Sequence, residues 1–322
     1  MTLNIGMVGT GGFAKMHAGL LAGMQEVKLA AVCGTGKDKA EEVARQYAAK
    51  GYGDLADMLD AHRLDAVYIC VPPGEHGAIE RTLIRRGIPF FVEKPLGTST
   101  EIPASLLQDI EESGLLTSVG YHFRYQDNVK RLQELLKGDK IGMVVGQWMG
   151  SMPEAAWWRD QKRSGGQFIE QTTHIVDLLR YLAGDVTEVY AMFGSRVMHE
   201  ERSGVSVADV GTVSLKLASG IVASISNTCV LPGEVGKVGL SFYNDRGLFD
   251  WNPQRLLEVR DGNSTEYASS GNPYVSESEA FLHAVRTGDR SGILSDYADA
   301  YKTLKVTCAA LESARKEVPV KL

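Results

Sequence analysis

Asn4-Ile5-Gly6-Met7-Val8-Gly9-Thr10-Gly11-Gly12-Phe13-Ala14 decides the reading of this 322-residue chain. Apolar residues run to Val8, the pattern breaks into Gly9-x-Gly11-x-x-Ala14, and helical periodicity follows. The run reads as a buried strand and the break as a tight turn into a helix. There Gly9 permits the sharp reversal, Gly11 lets backbone approach a pyrophosphate, and small Ala14 lets the helix pack on the sheet, with Gly12 and Phe13 completing the turn. The helix N-terminus adds N–H groups and a partial positive charge for the anion. A glycine-rich turn alone reads equally as a plain strand-to-helix connection. Further strand and helix units after it make it a dinucleotide fingerprint.

Those units are predicted as strands near 3–8, 28–33, 65–71, 89–93 and 116–119, with helices near 13–23, 38–49, 75–86 and 99–113. Such alternation predicts a doubly wound parallel sheet, an α/β Rossmann domain over residues 1–120, with ligands beyond the carboxyl ends of its strands. The chain is longer than one core usually supports, so residues 121–322 are expected to form a second domain. Strands from Met143 to Val259, punctuated by turns such as Ala218-Ser219-Gly220 and Asn244-Asp245-Arg246-Gly247, predict an α+β fold with a large open, mostly antiparallel sheet. Asp261 to Pro273 reads as a surface loop before a helix at 275–287.

Hydrophobic residues make up 44% and charged residues 23%, as in ordinary globular proteins, and the net charge of −6 argues against a nucleic-acid surface. Cys33, Cys70, Cys229 and Cys308 are far apart, with neither metal-ligand spacing nor a disulfide framework. No metal is expected. The first strand starts within a few residues of Met1, leaving no room for a signal peptide, and no apolar run suits a membrane span, so a cytoplasmic location is expected.

The strand ends carry the chemistry. An acidic residue after the second strand usually binds the ribose hydroxyls of NAD. Gly34 holds that place here, and the loop Cys33-Gly34-Thr35-Gly36-Lys37-Asp38 offers a hydroxyl and a cation to a 2′-phosphate. The reading therefore leans to NADP over NAD, the alternative being that Lys37 and Asp38 are the solvated first turn of the next helix. Val71-Pro72-Pro73-Gly74-Glu75-His76 stops the third strand, since proline cannot continue the ladder. Phe90-Phe91-Val92-Glu93-Lys94-Pro95 places a lysine at the end of an apolar strand, a position that favours function over a plain Glu-Lys pair.

On Gly9-x-Gly11-x-x-Ala14, the Pro-Pro-x-x-His run ending in His76, and Glu93-Lys94-Pro95, the chain resembles the Gfo/Idh/MocA family of glucose-fructose oxidoreductase and inositol dehydrogenase relatives. The resemblance continues in Gly165-Gly166-Gln167-Phe168-Ile169-Glu170-Gln171-Thr172-Thr173-His174-Ile175-Val176-Asp177, like the family's segment from a double glycine to the catalytic histidine, and in the stretch from Asp296 to Ala314. It implies an NAD(P)-dependent oxidoreductase acting on a hydroxyl or carbonyl of a sugar or inositol-like polyol. Pro72, Pro73, His76, Glu93 and Lys94 join the fingerprint as cofactor contacts. Lys94 and His174 form the catalytic pair: an imidazole with an ordinary pKa near ~6.5 exchanges the proton while the lysine stabilises a developing alkoxide. Glu170 stands where the commoner pattern has aspartate, four residues before His174, as an orienting carboxylate.

Further substrate contacts are expected from Tyr121, Arg124, Trp157, Trp158, Arg159 and Asp177, beside Lys94 and His174. Adjacent tryptophans suit stacking on a sugar ring with Arg159 bonding its hydroxyls; aromatic core is the alternative. Arg124 reads equally as part of an interdomain hinge, and Asp177 as an ordinary charge pair. The resemblance implies substrate binding and oligomerisation by the second domain, as a homodimer or homotetramer through its open sheet. An NAD-dependent glycosidase without net cofactor turnover and a non-catalytic nicotinamide-binding sensor are the alternatives.

Overall fold

β1 (Leu3–Val8), β2 (Val27–Cys33), β3 (Lys50–Tyr52), β4 (Ala66–Ile69), β5 (Phe90–Val92) and β6 (Thr117–Val119) pair in parallel, in the order β3-β2-β1-β4-β5-β6. β4 and β5, Ala66-Val67-Tyr68-Ile69 and Phe90-Phe91-Val92, are buried along their whole length, which is why they read as continuous apolar runs. The connecting helices are α1 (Gly12–Ala22), α2 (Lys37–Arg45), α3 (Leu55–Ala61), α4 (Ala78–Arg86) and α5 (Glu101–Ser113). The strand order reverses between β1 and β4, the switch point at which such sheets take their ligands. β3 and α3 are additions to the sequence reading. Lys50-Gly51-Tyr52 is too short to show periodicity, and Gly51 fits because a Cβ there would lie 2.3 Å from the Glu41 amide nitrogen.

This computed structural model describes residues 2–322. By its contacts the chain forms two units, Met1–Leu96 with Glu101–Gly120 and Tyr274–Asp299, and Gly97–Thr100 with Tyr121–Pro273 and Ala300–Leu322.

The second unit carries α6 (Asp127–Leu135), β7 (Ile141–Met149), α7 (Gln161–Ser164), α8 (Gln167–Glu170), α9 (Thr173–Ala183), β8 (Val186–Gly194), α10 (Met198–Glu201), β9 (Val210–Leu217), β10 (Val222–Thr228), β11 (Lys237–Asn244), β12 (Gly247–Trp251), β13 (Arg255–Arg260) and β14 (Asn263–Ala268). With β15 (Val320–Lys321) these strands form a nine-stranded sheet, ordered β14-β13-β12-β11-β7-β10-β9-β8-β15. Only β7 and β10 pair in parallel; the rest is antiparallel. One face packs into the core with Phe123, Ile175, Leu178 and Leu179 through Val144, Val213, Ile225 and Phe242. On the sheet Met143, Tyr190, Met192, Val222 and Tyr243 are exposed.

Two expectations need correction. Asn263–Ala268 is a strand rather than loop, paired with β13 in register through a turn at Asp261 and Gly262, both at positive φ. Its polar composition reflects a mostly exposed edge strand. The second unit also does not run unbroken from 121 to 322, because Tyr274–Asp299 returns to the first. There α11 (Pro273–Thr287) buries Phe281 and Leu282 in the core with Tyr68 and Phe91, and the Val119 amide donates to the Ser295 carbonyl at 2.9 Å. The last helix is α12 (Tyr297–Lys316). Among the described residues no helix is long and apolar enough to cross a membrane.

Candidate active site

In the first unit the glycine turn is built at the switch point. Gly9 has φ +127°, and a Cβ there would lie 2.2 Å from the Cys70 carbonyl oxygen at the end of β4. Only glycine fits, on conformation and on space. Over Gly11 and Gly12 the reverse holds: an added Cβ would meet nothing within 4 Å, so backbone at the start of α1 faces open space. This is the room a pyrophosphate needs, over a helix N-terminus with no side-chain cap. Ala14 is fully buried and Phe13 about half exposed.

At the end of β2, Gly34 donates its N–H to the Tyr52 carbonyl at 3.1 Å, and a Cβ on it would sit 2.8 Å from the Thr10 methyl. Gly34 thus lets the second strand end pack against the fingerprint turn. Thr35 follows it, and Lys37 opens α2 with its ammonium exposed, 3.7 Å from the Glu41 carboxylate. Such an exposed pair is worth little and leaves the cation able to swing. Burial, then the charge of Asp54, pushes the Cys33 thiol up to about 11, which makes it an inert wall.

Pro72 and buried Pro73 follow β4, leading into a single turn of 3-10 helix. His76 Nδ1 lies 2.6 Å from Glu80 Oε1, and the Gly77 amide donates to Glu80 Oε2 at 2.6 Å. Burial pushes the Glu80 carboxyl up, but the imidazole and the amide outweigh it and hold the carboxyl below its ordinary value. His76, expected against the cofactor, thus has one ring nitrogen committed to anchoring the start of α4. Beyond β5, Glu93 and Lys94 are both buried, with Lys94 Nζ 5.8 Å from the centre of the Phe13 ring.

The second unit holds the other group. Gly165 and Gly166 have φ +77° and +82°, which lets the short helices α7 and α8 turn into each other. Glu170 ends α8 and His174 sits in the first turn of α9, so the two belong to successive helices rather than to one continuous face. Glu170 Oε2 accepts from the Trp158 indole at 2.7 Å. His174 is buried among rings: Trp148 stacks on it at 5.8 Å and 19°, with His122 at 4.7 Å, Phe123 at 5.2 Å and Tyr121 at 5.9 Å. The Tyr121 hydroxyl is 2.9 Å from Thr173 Oγ1, and burial, then the charge of Asp177, pushes its ionisation far up.

Several expected substrate contacts lie elsewhere. Arg124 and Asp177 are buried and bound to each other, Nε to Oδ2 at 2.7 Å and Nη2 to Oδ1 at 2.6 Å, with the Thr303 hydroxyl donating to Oδ1 at 3.0 Å. A bidentate pair so enclosed is a structural brace, since removing either partner strands the other charge in the interior. Trp158 is 1% exposed, in a cluster with Met152, Met198, Val207 and Cys229, and Trp157 packs partly against it. Trp158 therefore offers no ring face for stacking. Arg159 Nη2 reaches both the carbonyl and the carboxylate of Glu154, at 3.2 Å each.

Sequence comparison now places the chain. A family profile described as an oxidoreductase family with an NAD-binding Rossmann fold matches residues 3–121, and a GFO/IDH/MocA C-terminal domain matches residues 129–249. The chain belongs to the Gfo/Idh/MocA oxidoreductase family. This family member is 28% identical over 230 residues to the inositol 2-dehydrogenase of Rhizobium meliloti, covering 71% of this chain and 69% of that protein. It is 26% identical over 334 residues to the inositol 2-dehydrogenase of Rubrobacter xylanophilus, covering 99% and 92%. A levoglucosan dehydrogenase solved with NADH and levoglucosan has the same fold, with a TM-score of 0.89 at 19% identity, covering 100% of this chain and 99% of that one.

Within this oxidoreductase, sequence reading missed Trp148 and His122 as neighbours of His174. His122 was legible only as part of an aromatic connection, and Trp148 lies on β7, brought to His174 by pairing and packing that no local spacing encodes.

Proposed function

We propose that this oxidoreductase transfers a hydride between NADP or NAD and a hydroxyl-bearing carbon of a sugar or inositol-like cyclitol. The observation that carries the reading is Lys94, a buried cation at the end of β5, beside the first residues of the cradle helix. The open backbone over Gly11 and Gly12 fits a dinucleotide's pyrophosphate. When bound, the nicotinamide supplies or accepts the hydride. Lys94 Nζ hydrogen-bonds the reacting oxygen and stabilises its negative charge in oxidation, or polarises the carbonyl in reduction. His174 takes the hydroxyl proton and returns it. Glu170 holds the α8 end in place through the Trp158 indole. The inositol dehydrogenase relatives support a polyhydroxylated substrate. Incubation with sugars, sugar acids and inositols plus NAD or NADP, read as reduced-nicotinamide absorbance, tests the reading: growth with one stereochemical class is expected. Silence across the panel despite cofactor binding would sink it in favour of a glycosidase or a sensor.

For the cofactor, Gly34, Thr35 and the exposed Lys37 favour NADP, with Lys37 on the 2′-phosphate. Lys37→Ala is expected to weaken NADP relative to NAD by roughly tenfold, about 1.4 kcal/mol. Equal loss for both cofactors would remove Lys37 from discrimination.

For assembly, Tyr243 pairs with Met143 and Met143 with Val222 across β11, β7 and β10, an exposed apolar row on the sheet. Such a row is costly in water and suits a second copy. Val222→Glu is expected to turn a homo-oligomer into monomers by light scattering, and a wild type already monomeric would contradict this.

A further inference from the structure

Behind Lys94 lies a polar group that the proposed reaction does not use. Successive residues at a strand end point to opposite sides, and Glu93 points inward, where its Oε1 lies 2.8 Å from His17 Nε2 on α1. The fit there is close, because a Cβ on Gly120, just past β6, would lie 3.0 Å from the same oxygen. Glu277 arrives from α11, and a polar side-chain atom from each of His17, Glu93 and Glu277 lies within 4.8 Å of the others. His17 and Glu277 are wholly buried and Glu93 is 5% exposed. Tyr68, Phe91 and Tyr274 ring the imidazole at 5.6, 5.2 and 6.2 Å.

Charge accounting in this box has one economical solution. A doubly protonated His17 would bury an Nδ1–H donor with no acceptor, for Nδ1 has no hydrogen-bond partner, so the neutral ring donating from Nε2 fits. Neither Glu277 oxygen has a hydrogen-bond partner, and an ionised carboxylate in that state, beside a second one, would cost several kcal/mol or more. We propose that Glu277 is a resident neutral carboxylic acid which, with His17, confines the pocket's single negative charge to Glu93 and so positions the Glu93-Lys94 strand end. Burial, then the charge of Glu93, pushes the Glu277 carboxyl well above its ordinary value. The other titratable groups facing it are Cys70 at the end of β4 and Tyr274 on α11, both pushed up by burial and then by the charge of Glu93. With the Tyr68 hydroxyl they form an uncharged surround.

The positioning role rests on Lys94 acting on substrate; the protonation state does not. Infrared spectroscopy of the full chain is expected to show the carbonyl stretch of a protonated carboxylic acid near neutral pH, shifted in deuterated buffer and absent in Glu277→Gln. Absence of that band in the wild type, its survival in Glu277→Gln, or a stoichiometric divalent ion found by elemental analysis would each overturn the neutral acid. Linkage gives a second readout. A raised pKa means the folded state keeps a proton that the unfolded state releases, so the wild type loses stability as pH rises above the carboxylate range, and an amide does not. From about pH 5 to about pH 8 the melting temperature of Glu277→Gln is therefore expected to gain on the wild type; a constant difference would contradict the proposal. For positioning, Glu277→Ala is expected to lower kcat on the order of tenfold or more, with Glu277→Gln recovering most of the loss. Equal activity in the alanine variant and the wild type would remove the positioning role while leaving the infrared result standing. Should the alanine variant not fold, an unrecovered kcat in Glu277→Gln decides against it.

Discussion

Replacing Lys94 by alanine is expected to lower kcat by about 10²- to 10³-fold while leaving the dissociation constant of the nicotinamide cofactor nearly unchanged. The asymmetry follows from where the charge acts. Negative charge develops on the substrate oxygen only as the proton leaves, so a cation aimed at that oxygen stabilises the transition state more than the ground state. On the proposed reading the cofactor's pyrophosphate is held instead by backbone: Gly9 at a conformation only glycine tolerates, and open space over Gly11 and Gly12. The fold should survive the change, because the strand end is held by the Glu93 side chain against His17 rather than by the Lys94 side chain alone. Lys94→Met controls for the buried methylene stem and should fail as alanine does. Cofactor fluorescence titration and steady-state kinetics on the same preparation separate the two effects. A variant with unchanged kcat would remove Lys94 from the chemistry, and one that loses cofactor affinity in proportion would make it a binding residue instead.

Legibility in the sequence follows the range of the interactions. The fingerprint turn was readable because its constraint is local: a reversal at Gly9 and a small residue at Ala14 are needed wherever a strand feeds a tightly packed helix. The position of Lys94 at a buried strand end was readable because the apolar run Phe90-Phe91-Val92 leads straight into it. Asp177 shows the limit. It was expected on the substrate, whereas the fold turns it to Arg124, a partner 53 residues away. Trp158 shows another: a tryptophan pair advertises aromatic surface, but whether that surface meets a ring or the core depends on Met152, Met198, Val207 and Cys229, which converge from distant loops and from α10. The return of α11 to the first unit was invisible for the same reason, and with it the meeting of Glu277 with His17 and Glu93.

His174→Asn is expected to lower oxidation by about 10²- to 10⁴-fold and to flatten its dependence on pH. Oxidation needs the imidazole neutral to accept the hydroxyl proton, so the rate should rise with pH as the ring loses its own proton. Reduction needs the imidazolium as donor and should fall over the same interval. Asparagine occupies a similar plane and can hydrogen-bond the oxygen but does not titrate there, so binding should outlast catalysis and the limb should vanish in both directions. The surroundings make the test discriminating. Trp148 stacked on the ring and Phe123 beside it fix its plane, while the His122 ring lies 4.7 Å away and is the nearest second base. A rising limb that persists in His174→Asn and disappears in His122→Asn would transfer the proton-accepting role to His122. Persistence in both variants would place the base outside this aromatic cluster.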